Sequence, residues 1–148
     1  NGVGNYKKAK EENEKEIYGK DYNQYKKYKA DEKFFKDKDA RKEFKQAFSD
    51  EFEGLSSQEK KEKLDGIMQS AIKYRQEGVT DNKLIIKAMN LDKNNKNSKD
   101  SIAAAVMANK AKDRESIDRY QKDLEKVVKP EKAQKITDNA KKIGGYSI

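Results

Sequence analysis

Apolar residues recur every three or four positions along most of the chain, which is the spacing of one face of an α-helix. The clearest stripe lies in the middle of the chain, at Leu64, Ile67, Met68, Ala71, Ile72 and Tyr74. No segment alternates apolar and polar residues over several positions, as a half-buried strand would. The pattern predicts an all-α protein, an irregular multi-helix bundle of about five to seven helices with no sheet.

Capping residues divide the first half of this pattern into helices. Asp37 or Asp39 is predicted to cap a helix, because a short acidic side chain can accept a hydrogen bond from a free amide in the first turn. Ser56 and Glu59 form the S-x-x-E signature of a capping box, in which each side chain bonds the backbone amide of the other residue. A helix is therefore predicted to follow Ser56 and to end near Glu77.

A turn and a loop follow this helix. Gly78 can adopt the positive φ that ends a helix, and Thr80 is predicted to cap a shorter helix beyond it. The asparagine- and lysine-rich run at 92–98 is predicted to be a loop, because asparagine and serine side chains compete with the helix for backbone hydrogen bonds.

The last third of the chain contains two further helical patterns. A long helix is predicted from Lys99 onward, with Asp113 as a point where it can be interrupted. Pro130 suits the first turn of a final helix, because its missing amide hydrogen has no helical partner there. The glycines at 144–145 are predicted to end that helix.

This organisation predicts three regions. Residues 1–5 form a flexible start, residues 6–54 form charged helices with an aromatic stripe, and residues 55–148 form a helical core domain. The alternative is one continuous domain over 6–148, which the chain length of 148 residues permits.

The composition implies a thin hydrophobic core. Apolar residues make up 33% of the chain and charged residues 42%, whereas a typical domain has about 45–50% and about 25%. Lys and Arg together number 35 against 27 Asp and Glu, and the two signs are interspersed. Opposite charges can therefore pair along the helices, which favours a folded helical protein over a disordered one.

Cysteine and histidine are both absent. This excludes disulfides, thiolate nucleophiles, ordinary zinc sites and imidazole acid–base chemistry, and no catalytic residues, metal ligands or cofactor sites are predicted. No apolar run is long enough to span a membrane. The chain begins with Asn1, which indicates processing or a piece of a longer protein, and a cytoplasmic location is favoured while a secreted or surface-exposed fragment stays open.

The corner at residues 76–80 resembles the turn of a helix-turn-helix DNA-binding unit, because a glycine, an apolar residue and a cap separate two helices. In that case Asn82, Lys83 and Lys87 would contact bases or phosphates. Tyr74 departs from the pattern, because it occupies a position where such units usually carry a small residue. The alternative, which the sequence favours, is an ordinary corner of a helical bundle.

Positive charge increases along the chain. The net charge is +1 over residues 1–54, +3 over 55–98 and +4 over 99–148. A basic stripe for DNA phosphates is predicted at Lys110, Lys112 and Arg114 with Arg119, or else at Lys132, Lys135, Lys141 and Lys142. Acidic residues interrupt every basic run, so the alternative is a solvated, lysine-rich surface.

Ten of the thirteen tyrosines and phenylalanines lie between residues 6 and 52. Tyr18, Tyr22 and Tyr25 would share one helix face, where they could bind a groove of a partner protein. The alternative is that these rings form part of the protein's own core, since leucine is scarce.

Two functional hypotheses follow. The first is a non-enzymatic, basic DNA-binding or accessory protein of a bacterial mobile element, with the bias toward Lys, Asn and Ile typical of an AT-rich genome. The second is a helical protein-protein interaction module cut from a larger secreted or assembly protein. The partners would be DNA, through its phosphates, or another protein.

Overall fold

A computed structural model describes residues 22–93 and 98–147 of the chain, and these ranges contain α-helices and no strand. The all-α class and the multi-helix bundle predicted from the sequence are confirmed. The helices are α1 (Tyr22–Lys36), α2 (Lys38–Ala47), α3 (Ser57–Gln76), α4 (Asn82–Asp92), α5 (Ser98–Lys110), α6 (Arg114–Leu124) and α7 (Pro130–Gly144), with a short 3-10 helix at Ser49–Phe52.

The caps explain most of the helix boundaries. Of the two aspartates predicted as caps for α2, Asp37 takes the role, and its carboxylate accepts from the Ala40 amide at 2.9 Å. At α3 the capping box is complete, because the Ser56 hydroxyl accepts from the Glu59 amide and the Glu59 carboxylate accepts from the Ser56 amide. The second of these bonds helps to lower the pKa of Glu59.

The turn between α3 and α4 corrects one prediction, because Asp81 rather than Thr80 caps α4. The Asp81 carboxylate accepts from the Lys83 amide at 2.9 Å. Gly78 has φ +95°, and the following Val79 amide donates back to the Tyr74 carbonyl at 3.1 Å. Since the Val79 side chain is fully buried, the chain leaves this turn at a fixed point and α4 begins one residue later than predicted.

The predicted interruption at Asp113 is confirmed. Asp113 caps α6, and its carboxylate accepts from both the amide and the hydroxyl of Ser116 at 2.7 Å. These two bonds hold the pKa of Asp113 below its usual range, the hydroxyl bond having the larger effect. Pro130 opens α7 as predicted, and Gly145 ends it with φ +79°.

The buried side chains form one hydrophobic cluster that extends from Phe34 in α1 to Ile143 in α7. Aromatic rings fill much of its α1–α2 side, where Phe34 and Phe44 meet edge to face with centroids 5.9 Å apart. The Arg75 guanidinium covers the Phe34 ring at 4.3 Å. Large aromatic rings thus supply buried area that the few leucines cannot.

Helix α4 packs against α2, α3, α5 and α7, and it therefore lies inside the bundle. Helices α5 and α7 run parallel, because the Lys132 ammonium pairs with Asp100 near their starts while Gly144 lies against Ala108 near their ends. Alanines 104, 105 and 108 of α5 are buried, and their small side chains let neighbouring helices approach closely.

Helix α6 runs antiparallel to α7. The Gln121 amide donates to Gln134 at 2.9 Å, and the Lys141 ammonium pairs with Asp118 at 2.9 Å. Because α5 and α6 both pack on α7 but contact each other only sparsely, a groove separates them.

Candidate functional site

The groove between α5 and α6, here called the α5–α6 groove, has a volume of about 640 Å³. This volume falls in the usual range of about 300–1,000 Å³ for binding clefts. Its floor and walls are formed mainly by apolar residues, namely Ile102, Ala103, Val106, Met107, Tyr120, Leu124 and Val127. Its rim carries the charged residues Glu77, Lys99, Lys110 and Asp123.

Helix α5 can line the groove because it is apolar on two adjacent faces. Ala104, Ala105 and Ala108 lie on the face that is buried in the core. Ile102 and Val106 are four residues apart on the neighbouring face and are only partly buried. The core of this protein therefore leaves the second apolar face of α5 partly uncovered.

Helix α6 and the turn after it form the opposite wall. Tyr120 and Leu124 are one helical turn apart and partly buried, and Val127 follows three residues later. The Val127 amide donates to the Leu124 carbonyl at 3.0 Å, which holds the valine on the same side as Leu124. Val127 is 79% exposed, the larger exposure of the two large hydrophobic side chains that are well exposed within the described ranges.

The rim charges are distributed unevenly. Lys99 and Lys110 are exposed on the α5 side, whereas Asp123 is exposed on the α6 side and Glu77 at the end of α3. The groove thus offers apolar contacts and the phenol group of Tyr120, together with one positively charged edge and one negatively charged edge. Such a surface is suited to binding an amphipathic segment in a defined orientation.

The structure places the residues of the predicted DNA-reading corner in different environments. The Asn82 side-chain amide donates to the Glu43 carboxylate of α2 at 2.9 Å, so this amide is engaged inside the protein. Lys83 and Lys87 are exposed and lie one turn apart on α4. Because α4 is surrounded by other helices, only a narrow stripe of it is open to solvent.

Tyr74 explains how this corner departs from the helix-turn-helix pattern. Its side chain is 2% exposed and fills the space where such units carry a small residue. Burial raises the pKa of Tyr74 to about 12, and the nearby Asp92 carboxylate adds to the rise. The phenol therefore stays protonated at neutral pH and functions as part of the core.

The first of the two predicted basic stripes lies near the junction of α5 and α6. Lys110, Lys112 and Arg114 are exposed there, and Lys110 also belongs to the groove rim. Arg119 is exposed on α6, where its guanidinium donates to the Ser116 hydroxyl at 3.1 Å. The α4 lysines and this stripe thus lie on two separate stretches. In the second predicted stripe, Lys141 is buried and pairs with Asp118, so its ammonium is not open to a phosphate.

Of the tyrosines predicted to bind a partner, Tyr18 and the side chain of Tyr25 lie outside the described residues. Tyr22 is buried at the start of α1, with the Lys26 ammonium 4.8 Å from its ring centroid. At 9% exposure, the Tyr22 ring presents little surface to a partner.

The sequence pattern did not single out the groove residues. Ile102 and Val106 are four residues apart, as are Tyr120 and Leu124, and the long helix predicted from Lys99 onward would place all four side chains on one face. The break at Asp113 instead turns α6 back, so that the two halves of this face lie opposite each other. The spacing also continued that face to Val127 or Val128, whereas α6 ends at Leu124, before either valine.

Comparison of the chain with protein-family models, curated proteins and solved structures finds no match in any of the three. No helix in the described part of the chain is both long and apolar enough to cross a membrane. Within residues 22–93 and 98–147, no group of three or more potential metal ligands lies together.

Proposed function

We propose that this protein is a non-enzymatic helical binding module, and that its α5–α6 groove binds an amphipathic helix of another protein. The observation that carries the proposal is the continuous apolar lining of the groove, which ends in Val127 at 79% exposure. A thin-cored protein gains stability from every apolar side chain that it buries, so apolar side chains left on an open wall favour a binding role.

The partner helix would need a pattern of side chains that matches the groove. Apolar side chains of the partner helix at positions i, i+3 or i+4, and i+7 would lie between α5 and α6. There they would contact groove residues such as Ile102 and Leu124. Carboxylates on one edge of the helix would face Lys99 and Lys110, and a basic residue on the other edge would face Asp123. Complete burial of Val127 alone would contribute about 1.5–2 kcal/mol.

A designed peptide with this pattern tests the proposal. It carries leucines at i, i+3 and i+7, glutamates along one edge, lysines along the other and a fluorescent label. We expect saturable binding in a fluorescence anisotropy titration. Val127→Asp should weaken this binding by about tenfold or more, because a carboxylate would lie against the apolar face of the peptide.

The adjacent valine provides the matched control. Val128 is part of neither the groove lining nor the hydrophobic cluster, so Val128→Asp makes the same chemical change one residue away. Circular dichroism establishes that both variants are folded. Equal affinities for the wild type, Val127→Asp and Val128→Asp would contradict the groove as the binding site.

DNA binding is the second candidate function, and the exposure of Lys83 and Lys87 on one face of α4 favours it. Lys83→Ala combined with Lys87→Ala should then weaken DNA binding and reduce the slope of log affinity against log salt by about two. The control is Lys38→Ala with Lys42→Ala, which removes two exposed lysines at the same spacing on α2. An unchanged salt slope in the Lys83 and Lys87 variant would contradict DNA binding by this helix.

A further inference from the structure

Helix α6 is held to the bundle by little buried apolar surface. The structure describes every residue of this helix, and two of its side chains are buried, those of Ser116 and Ile117. In α7, six side chains are buried. Tyr120 and Leu124 of α6 are only partly buried, because they line the open α5–α6 groove. Since apolar burial is the main force that holds a helix in place, the position of α6 depends chiefly on Ile117.

Polar side chains form much of the contact between α6 and α7. The Gln121 side-chain amide donates to Gln134 at 2.9 Å, and the Thr137 hydroxyl donates to the Gln121 side-chain oxygen at 3.3 Å. The Lys141 ammonium pairs with Asp118, whose side chain is 48% exposed. Because Gln121 and Asp118 are partly exposed, water can replace these contacts when α6 moves. They therefore hold the helix less firmly than buried apolar contacts would.

Exposed connections flank α6 at both ends. Residues 112–115, at the junction with α5, are exposed, and so are residues 125–127, in the turn that leads to α7. Between these connections α6 packs mainly on α7 and contacts α5 only sparsely. Few buried contacts and an exposed backbone are the properties of segments that open separately from the rest of a protein. Helix α6 combines both properties.

We propose that α6 is a movable wall of the α5–α6 groove, which moves away from α5 to admit the partner helix and closes on that helix once it is bound. This inference rests on the proposed function, because it concerns how the same site opens. A helix bound in the groove would add apolar contacts to Tyr120, Leu124 and Val127. Since these contacts form only when α6 is closed, binding shifts α6 toward the closed position.

Hydrogen exchange of the full chain, followed by NMR, tests the movement in the free protein. We expect the α6 amides at 118–124 to exchange at least tenfold faster than the central amides of α5 and α7. They should share one opening rate, because the helix moves as a unit, whereas fraying would give rates that increase toward its ends. Exchange in α6 as slow as in α7, or graded rates along α6, would overturn the inference.

Two matched variants identify what the α6 opening breaks. Ile117 and Ile85 of α4 are both fully buried, so replacing each by valine removes one buried methyl group. Ile117→Val should speed exchange of the α6 amides and of the slowest core amides alike, by about fivefold, because both openings expose residue 117. Ile85→Val should speed only the core amides, because α4 stays packed when α6 opens. Equal acceleration of the α6 and core amides by Ile85→Val would overturn the inference.

A covalent restraint tests whether the partner needs this movement. The chain contains no cysteine, so Gln121→Cys with Gln134→Cys allows a short bis-maleimide to hold α6 against α7. We expect the cross-link to slow association of the designed peptide at least tenfold in stopped-flow anisotropy, relative to the same variant before cross-linking. The control is Asp31→Cys with Gln76→Cys, which joins α1 to α3 at a similar side-chain contact and leaves α6 free. Equal association rates before and after the α6–α7 cross-link would overturn the inference.

The two measurements separate this inference from the proposed function. If the peptide binds but α6 exchanges as slowly as α7, the movable wall is overturned and the binding function stands. If the peptide does not bind, the proposed function fails, and the exchange rates of the free protein alone decide whether α6 moves.

Discussion

Gly78 controls the exit of the chain from α3. Its φ of +95° is a backbone conformation that residues with a Cβ atom rarely adopt. Apart from the adjacent residues, no atom lies within 4 Å of the position that a Cβ atom would occupy. Its amide donates to the Arg75 carbonyl, and the next amide donates to the Tyr74 carbonyl. This arrangement ends the helix and buries Val79.

The conformation and the available space at Gly78 give a clear expectation. Gly78→Ala should lower the free energy of unfolding by about 1 kcal/mol, because the added methyl group strains the backbone without any clash. Gly66 provides the control, since it lies within α3 with equally open space around it. Gly66→Ala should raise the free energy of unfolding by about 0.5–1 kcal/mol in urea denaturation. Destabilisation by both variants would contradict this interpretation.

Local features of this kind were predictable from the sequence. Ser56 with Glu59, Gly78 and Asp113 act within one helical turn, so their roles depend little on the rest of the fold. The use of Asp81 rather than Thr80 as the cap of α4 could not be predicted from the neighbouring residues alone. It depends on the burial of Val79, which requires the surrounding helices.

At the scale of helices, α6 and α7 are joined by an ion pair with unequal burial. The Lys141 side chain is 6% exposed and that of Asp118 is 48% exposed, with 2.9 Å between ammonium and carboxylate. The hydrogen bond from Lys141 is the main cause that holds the pKa of Asp118 below its usual value of 3.8. The buried ammonium therefore depends on a carboxylate at the surface.

This asymmetry predicts different effects for the two partners. Asp118→Asn should lower the melting temperature, because it leaves a buried ammonium without a counter-charge. Lys141→Met should change the free energy of unfolding by less than about 1 kcal/mol, because an apolar side chain of similar length fills the same space. Thermal unfolding followed by circular dichroism measures both. A larger decrease in melting temperature for Lys141→Met than for Asp118→Asn would contradict this explanation of the ion pair.

The pH dependence has a defined sign. Because folding lowers the pKa of Asp118, its contribution is complete above the unfolded value of 3.8 and is lost as the pH falls through the lower folded value. The difference in melting temperature between the wild type and Asp118→Asn should therefore be constant at neutral pH and shrink in acid below about pH 4. A difference that grows in acid would contradict the assignment.

The spacing of apolar residues predicted that α5 and α6 are helical. It did not predict which of their apolar side chains other helices cover. Ile102 and Ala105 belong to the same sequence stripe, yet Ala105 is fully buried and Ile102 lines the groove. Which part of a wide apolar face is covered depends on the helices that pack against it. Here α7 covers the alanines, and α6 turns back without closing over Ile102.

At the scale of the molecule, the core extends through all seven helices described, while the α5–α6 groove remains open. Only 33% of the residues are apolar, so the apolar side chains that line the open groove are a considerable fraction of those in the protein. The predicted DNA contacts are less concentrated, because Asn82 bonds to Glu43 and the basic side chains lie on two separate stretches. These two features are the basis for proposing a protein partner before DNA.

The most direct test of this account is a methyl NMR titration of the full chain with the designed amphipathic peptide. We expect the shifts to be concentrated on the methyl groups of Ile102, Val106, Leu124 and Val127, which line the groove. Shifts concentrated instead on Leu84 and Ile86 of α4, or no shifts at an excess of peptide, would contradict the assignment of the α5–α6 groove as the binding site.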